Sequence, residues 1–310
     1  MKSSQQDVLE AARDWLSQGH IVELVTVVRT WGSSPRPPGS IAAIREDGVL
    51  AGSVSGGCIE TQLSAQFRSR EMPAVHTHRI DDEHARRFGL ACGGELELLF
   101  ETLTNVVVVN QLLLHLSRRE RVVRRVRTDT QRVSIELAGD QDVFTWKAPQ
   151  LTQLFGPDWQ LLLIGAGELS RYTARFAKAL DFDVLVVDPR DKFRENWDID
   201  GVPVLDMSPD DAVLQYASDD RSAVLALSHD PNIDDLALME ALPSQAFHVG
   251  ALGSIRNYEK RCKRLIGLDV PLSSVERLKG PVGLSIGARG SAEIAVSIVA
   301  ELIQVRQPLL

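Results

Sequence analysis

Gln160-Leu-Leu-Leu-Ile164-Gly165-Ala-Gly167-Glu-Leu-Ser170 is the stretch that decides the fold. Its apolar run reads as a short buried strand, its glycines as a turn, and Leu169 to Leu180 carries helical spacing. A second apolar run, Val184-Leu-Val-Val187, ends at Asp188, 23 residues after Gly165. A Gly-x-Gly-x-x-Ser turn between strand and helix, with an acidic residue closing the next strand, is a dinucleotide fingerprint in its proper context. The glycines let backbone approach a pyrophosphate, and the helix N-terminus adds positive dipole. Asp188 is placed to accept from ribose hydroxyls. Ser170 stands for the third glycine, and Glu168 puts a carboxylate beside the phosphate position. Further on, strands at Ser222–Leu227 and Phe247–Val249 alternate with helices at 233–242, 255–266 and 290–305. That alternation predicts an α/β Rossmann-like domain over 151–310 with a doubly wound parallel sheet.

Residues 1–150 read as a separate mixed α/β domain. A helix is expected over 7–18 and a strand over 21–30, followed by the stiff loop Trp31-Gly-Ser-Ser-Pro-Arg36-Pro-Pro-Gly-Ser40. Hairpin strands at 41–45 and 49–54 turn at Asp47-Gly48, a helix follows over 59–70, and strands over 76–80 and 95–101. Residues 104–150 show no chemical motif, and 149–157 reads as the linker.

Two cysteines each sit beside a glycine pair, in Ser53-Val-Ser-Gly56-Gly57-Cys58-Ile-Glu60 and Leu90-Ala-Cys92-Gly93-Gly94-Glu95. Gly-Gly is expected to leave backbone amides open, and amide dipoles ionise a neighbouring thiol, making it reactive or metal-ligating. The competing reading of each is a small buried hydrophobe. No second Cys-x-x-Cys or His pair completes a zinc site, and His76, His78 and His84 read as surface or structural. Cys262 reads as a structural helix residue. Arg36, between prolines, is a restrained anion fork or a surface turn residue. Arg289, before a last helix with Ser291 as its N-cap, is an anion-site candidate or part of ordinary capping. Ser228-His229-Asp230 ends a strand where ligands bind in such sheets, but no Gly-x-Ser-x-Gly elbow supports a hydrolase.

The 310 residues accommodate two cored domains, and 44% hydrophobic with 25% charged residues is ordinary globular composition. Three cysteines argue for a reducing compartment over a disulfide framework. A net charge of −8 argues against nucleic acid as the main partner. The absence of a leader-like start and of a long apolar run argues against secretion and membrane spanning. The basic run Arg118-Arg-Glu-Arg-Val-Val-Arg-Arg-Val-Arg127 is a solvated face or a partner patch.

Together these runs resemble the XdhC/CoxI family of molybdenum-cofactor maturation proteins, over residues 8–103 and 157–306. The resemblance rests on Gly32–Gly39, Gly52–Glu60, Cys92–Gly94, Gly165–Gly167, Val187–Arg190, Ser228–Asp230, Gly250–Ser254 and Gly283–Arg289. Glu168 departs from the histidine common in the family. The resemblance implies a cytoplasmic accessory chaperone that binds molybdenum cofactor, as molybdopterin or its dinucleotide form, and the thiols and anion-binding candidates of the two halves lead us to expect that cofactor between them. It further implies help with sulfuration and delivery to a xanthine dehydrogenase-type hydroxylase. The implied partners are the apo-hydroxylase and a cysteine desulfurase, and the implied assembly is a homodimer. On this reading Cys58 or Cys92 touches the metal end or relays sulfur, with Gly56, Gly57, Gly93 and Gly94 opening the amides around them. Arg36, Gly165, Gly167, Ser170, Asp188, Arg190, Ser254 and Arg289 line the rest of the cofactor. The rival readings are an NAD(P)-dependent oxidoreductase with Asp188 on the ribose, and a scaffold docking partners through the basic run.

Overall fold

The computed structural model describes residues 5–32, 36–57, 59–65, 67, 69–80, 94–139, 141–217 and 219–306. Cys58, Cys92, Gly93 and His84 lie outside them. The chain divides into two compact units, Met1–Pro157 and Asp158–Leu310.

The first unit begins with α1 (Gln5–Ser17), β1 (Val22–Gly32), β2 (Ile41–Arg45), β3 (Leu50–Gly52), α2 (Glu60–Ala65), β4 (Ala74–Ile80) and β5 (Gly94–Leu103). It continues with α3 (Val107–Ser117), β6 (Val122–Arg127), β7 (Val133–Leu137), β8 (Thr145–Lys147) and β9 (Gln150–Phe155). An antiparallel sheet runs β3-β2-β1-β5-β4, and a second runs β7-β6-β9-β8. The valine-rich β1 does not alternate in polarity because it is covered on both faces. Val22 and Leu24 pack with α1 and α3, while Val25 and Val27 pack with Ile59 and Leu63 on the other side. Residues 149–157, expected as a linker, instead contain β9, which pairs with β6 along its length. The helix expected over 59–70 ends at Ala65.

The motif loops share one end of the first sheet. Gly32 closes β1 opposite Gly94, and Gly94 also pairs with Ile80 at the end of β4. Gly52, which feeds the Ser53 loop, lies opposite Ala42 near the start of β2. The basic run becomes a turn followed by β6. Its expected solvated face fails at Arg124, which is 1% exposed and forms a two-pronged pair with Glu101 at 2.6 and 3.0 Å.

The second unit contains β10 (Trp159–Ile164), α4 (Glu168–Ala179), β11 (Phe182–Val187), α5 (Asp191–Glu195), β12 (Val204–Leu205), α6 (Pro209–Tyr216) and β13 (Ser222–Ala226). After these come α7 (Pro231–Ala241), β14 (His248–Ala251), α8 (Ile255–Gly267), α9 (Leu272–Val275), β15 (Leu278–Lys279) and α10 (Ser291–Arg306). These strands pair in parallel, in the order β12-β11-β10-β13-β14-β15. This is the doubly wound order 3-2-1-4-5-6 of a Rossmann sheet. β10 is buried throughout because both its faces are covered. Leu161 and Leu163 pack against α4 and α10, and Leu162 and Ile164 against α6 and α7.

Candidate functional site

Strand order reverses at β10, which opens a crevice at the carboxyl ends of β10 and β13. Gly165 turns there with φ +98°, its amide donating to Val187 O at 2.8 Å. A Cβ on Gly165 would stand 2.5 Å from Ser228 Cα, so only glycine fits between the two turns. Gly167 differs. Its φ of −81° is ordinary, and a Cβ there would meet nothing within 4 Å. Gly167 caps α4 beside a cleft of about 360 Å³ that Arg171, Lys192, Phe193 and Asn196 also line. Arg171 is held 2.7 Å from Asp198, whereas Lys192 is exposed and has no ion pair among the described residues. The cleft thus offers a helix N-terminus and an uncommitted ammonium, a suitable pair for phosphate oxygens.

Glu168 lines the same cleft, but its carboxylate accepts from Ser291 Oγ at 2.9 Å and is thereby committed to α10. Ser291 is the first residue of α10 and not its cap, because Ile294 N donates to Gly290 O. Arg289 is exposed, and its amide donates to Glu293 at 2.9 Å. Ser170 is fully buried, with its hydroxyl unpartnered among the described residues, so it packs helix on sheet and is not part of the Gly167 cleft.

Asp188 departs most from expectation. It is 0% exposed and accepts from Ala166 N, Arg190 N, Arg190 Nε and Arg190 Nη2 at 2.8, 3.0, 2.8 and 2.8 Å. Burial alone would raise its pKa, but these donors outweigh burial and hold the carboxyl below its ordinary value. Its acceptor sites are filled, so Asp188 fixes the glycine turn and leaves nothing for a ribose. Arg190 is committed to the same pair and stacks 4.0 Å from the Phe193 ring centroid. Ser254 caps α8, its Oγ accepting from Asn257 N at 3.3 Å.

In the first unit the Ser53 loop is organised by one carboxylate. Glu60 Oε1 accepts from Ser53 Oγ, Val54 N and Ser55 N at 2.6, 3.0 and 2.9 Å. Glu60 Oε2 accepts from Ser55 Oγ, from Gly57 N at 2.9 Å and from Ile59 N at 3.2 Å. Gly56 N donates to Ser53 Oγ at 2.9 Å. The open amides expected of Gly56 and Gly57 are therefore consumed inside the loop. Both glycines are still required for conformation, with φ of +75° and +108°. Burial would raise the Glu60 pKa, but the hydrogen bonds from Ser53 and Ser55 prevail and lower it. The amides of Gly57 and Ile59 thus stabilise a carboxylate. Arg36 is half-buried in the loop that rejoins the sheet where Gly39 N donates to Val27 O at 2.8 Å.

Two family models match, the XdhC Rossmann domain over residues 161–302 and the XdhC and CoxI family over residues 15–76. The chain belongs to the XdhC and CoxI family. The molybdenum cofactor insertion chaperone PaoD of Escherichia coli strain K12 is 29% identical over 308 residues, covering 96% of this chain and 88% of PaoD. A probable xanthine dehydrogenase subunit of Bacillus subtilis strain 168 is 25% identical over 320 residues, covering 92% of this chain and 93% of that protein. A crystal structure described as a xanthine dehydrogenase from Bacillus halodurans shares the fold with a TM-score of 0.71. It is 24% identical and covers 97% of this chain and 96% of its own.

Behind the crevice of this XdhC and CoxI member lies a buried polar relay that sequence reading missed. Asp234 Oδ1 accepts from Ser228 N at 3.1 Å and Ser228 Oγ at 2.7 Å, and Asp234 Oδ2 from Arg261 Nη2 at 2.8 Å. Arg261 Nε also lies 3.3 Å from Asp235, which Arg264 engages at 2.7 Å. Burial raises the Asp234 pKa, against the lowering pull of Ser228 and Arg261. The relay ties α7 to α8 and fixes the Ser228 turn against Gly165. The only sequence signal was an Asp-Asp pair one turn into α7, with arginines on the next helix. His229 has φ +64° and is exposed at the crevice rim.

Proposed function

We propose that this protein is an accessory chaperone that binds molybdenum cofactor, assists its sulfuration and delivers it to a xanthine dehydrogenase-type hydroxylase. The observation that supports this most is the cleft at Gly167, formed like a phosphate site, in a chain whose relative PaoD is named a molybdenum cofactor insertion chaperone. The cofactor is cargo here. Its phosphate, in the molybdopterin or dinucleotide form, would take the α4 N-terminus with Lys192, and Arg190 would lie beside it. Cys58 or Cys92 would meet the metal end or carry sulfur. In the relay a thiolate attacks the outer sulfur of a desulfurase persulfide, becomes a persulfide itself, and releases the donor as thiolate. The apo-hydroxylase and a cysteine desulfurase are the partners on this reading, with a homodimer in the cytoplasm as the working form.

An NAD(P)-dependent oxidoreductase is the weaker reading, since Asp188, which it needs for the ribose, is saturated by Arg190 and Ala166. To test the proposal, the protein is purified from a molybdate-fed host, its pterin is released and identified, and it is added to apo-hydroxylase. A bound pterin and a gain in hydroxylase activity are expected, with that gain lost in the C58S/C92S double variant. A protein devoid of pterin that leaves the hydroxylase inert defeats the proposal. An unchanged gain with C58S/C92S removes the cysteines from it.

A further inference from the structure

The far end of β1 carries an aromatic cleft that the glycine loops do not explain. Val22 to Val28 are buried, and then the pairing with β5 slips between Val27 and Arg29. An extra residue of this kind bends a strand and re-aims the side chains beyond it. Beyond the slip, Trp31 is 48% exposed, although indole is among the costliest side chains to leave in water. Trp31, Pro38, Phe144 and Trp146 enclose an open cleft of about 340 Å³, with Arg29 at its edge.

The charge at the edge of the cleft is paired, and two of its aromatic walls are packed against the protein. Arg29 lies 3.7 Å from Glu97 and donates to Trp146 O at 3.5 Å, so its charge is already balanced. Phe144 is held against Gly39, where a Cβ would come within 3.3 Å of the ring. Trp146 is 9% exposed and packs in a buried cluster with Val28, Val126 and Leu151, against which Phe144 also rests. Aromatic faces without net charge suit a neutral planar heterocycle and disfavour a phosphate, and one stacked ring contributes a useful share of affinity. A few hundred Å³ fits a bicyclic ring better than a peptide segment. Pro38 belongs to the Gly32–Gly39 motif loop, and Trp31 immediately precedes Gly32, which pairs with Gly94. The cleft therefore sits on the sheet end from which the motif loops depart.

We infer that this cleft stacks the pterin ring of the cofactor, with Trp31 and Phe144 as its principal contacts. The inference rests on the chaperone reading above and adds a subsite to it. The full chain is titrated with 6-hydroxymethylpterin, which has the bicyclic ring but no metal, dithiolene or phosphate, and quenching of pterin emission is followed. Saturable quenching is expected for the natural chain. W31A and F144L should each weaken binding about tenfold, while W31F stays within about threefold because a ring is kept. Far-UV circular dichroism checks that the variants fold, and the two independent positions guard against misfolding of one. No saturable quenching up to millimolar pterin, or equal binding by W31A and F144L, overturns the inference. So does equal retention of cofactor by natural chain and W31A from a molybdate-fed host, an outcome that leaves the chaperone reading standing. A Trp31-dependent pterin site in a protein that neither acquires cofactor nor activates hydroxylase supports the cleft and defeats the chaperone reading instead.

Discussion

At the scale of single residues, two carboxylates organise the glycine turns and occupy backbone amides within them. Glu60 gathers the Ser53 loop, and Asp188 gathers the Gly165 turn. Each is held below its ordinary pKa, so the sign of the linkage is fixed. Their stabilisation is full above the unfolded carboxylate pKa, near 4, and is lost as pH falls through the lower folded value. E60Q keeps the size of the side chain but removes the charge and turns amide hydrogens toward existing donors. It should cost roughly 2 kcal/mol at pH 7, read from urea midpoints, and flatten the fall in stability below about pH 4. An unchanged midpoint would mean that the loop does not depend on this carboxylate. The role of Glu60 was partly within reach of sequence reading, since a Glu beside Ser53, Ser55 and two glycines at a helix start has hydroxyl and amide donors close along the chain. The capture of Asp188 by Arg190 was not, because it depends on how the chain turns after β11.

At the scale of elements, the strands and helices flanking the Gly165 turn were legible because strand, turn and helix follow one another within 21 residues, 159–179. Residues 104–150 were opaque for the opposite reason. Their short strands pair with one another and with β9, and β7 is mostly exposed on its outer edge, so little periodicity marks it. Two valines followed by two arginines, Val122 to Arg125, give no alternation that would show Arg124 pointing inward to Glu101 on the other sheet. That pair predicts an asymmetry. R124M strands a buried carboxylate and should cost about 3–5 kcal/mol, whereas R124M/E101L, which removes both charges, should recover most of the loss. R118S, at an exposed position of the same basic run, should change stability by less than about 0.5 kcal/mol. Denaturant unfolding of the natural chain and these variants checks all three values. Equal losses for R124M and R118S would return the run to a solvated face.

At the scale of the whole molecule, each unit encloses its own apolar cores, at 159–302 in the second and at 8–155 in the first. Each core is built from residues of its own unit, so protection conferred by a ligand should stay within the unit that binds it. The phosphate seat proposed for the α4 N-terminus with Lys192 is probed most simply with pyrophosphate. At a hundredfold excess over its Kd, a ligand that binds only the native state adds about 2.7 kcal/mol. For a unit of this size that is a rise of roughly 5–10 °C in Tm. Hydrogen exchange followed peptide by peptide should therefore slow in β10, α4 and β11 on adding pyrophosphate, with β1 and β5 unchanged. In G167A, whose new methyl meets no protein atom, unliganded exchange should match the natural chain while the pyrophosphate effect disappears. A G167A protein that keeps the effect would show that the space at Gly167 is not the phosphate seat. Slowing in β1 and β5 would show that the two units respond as one.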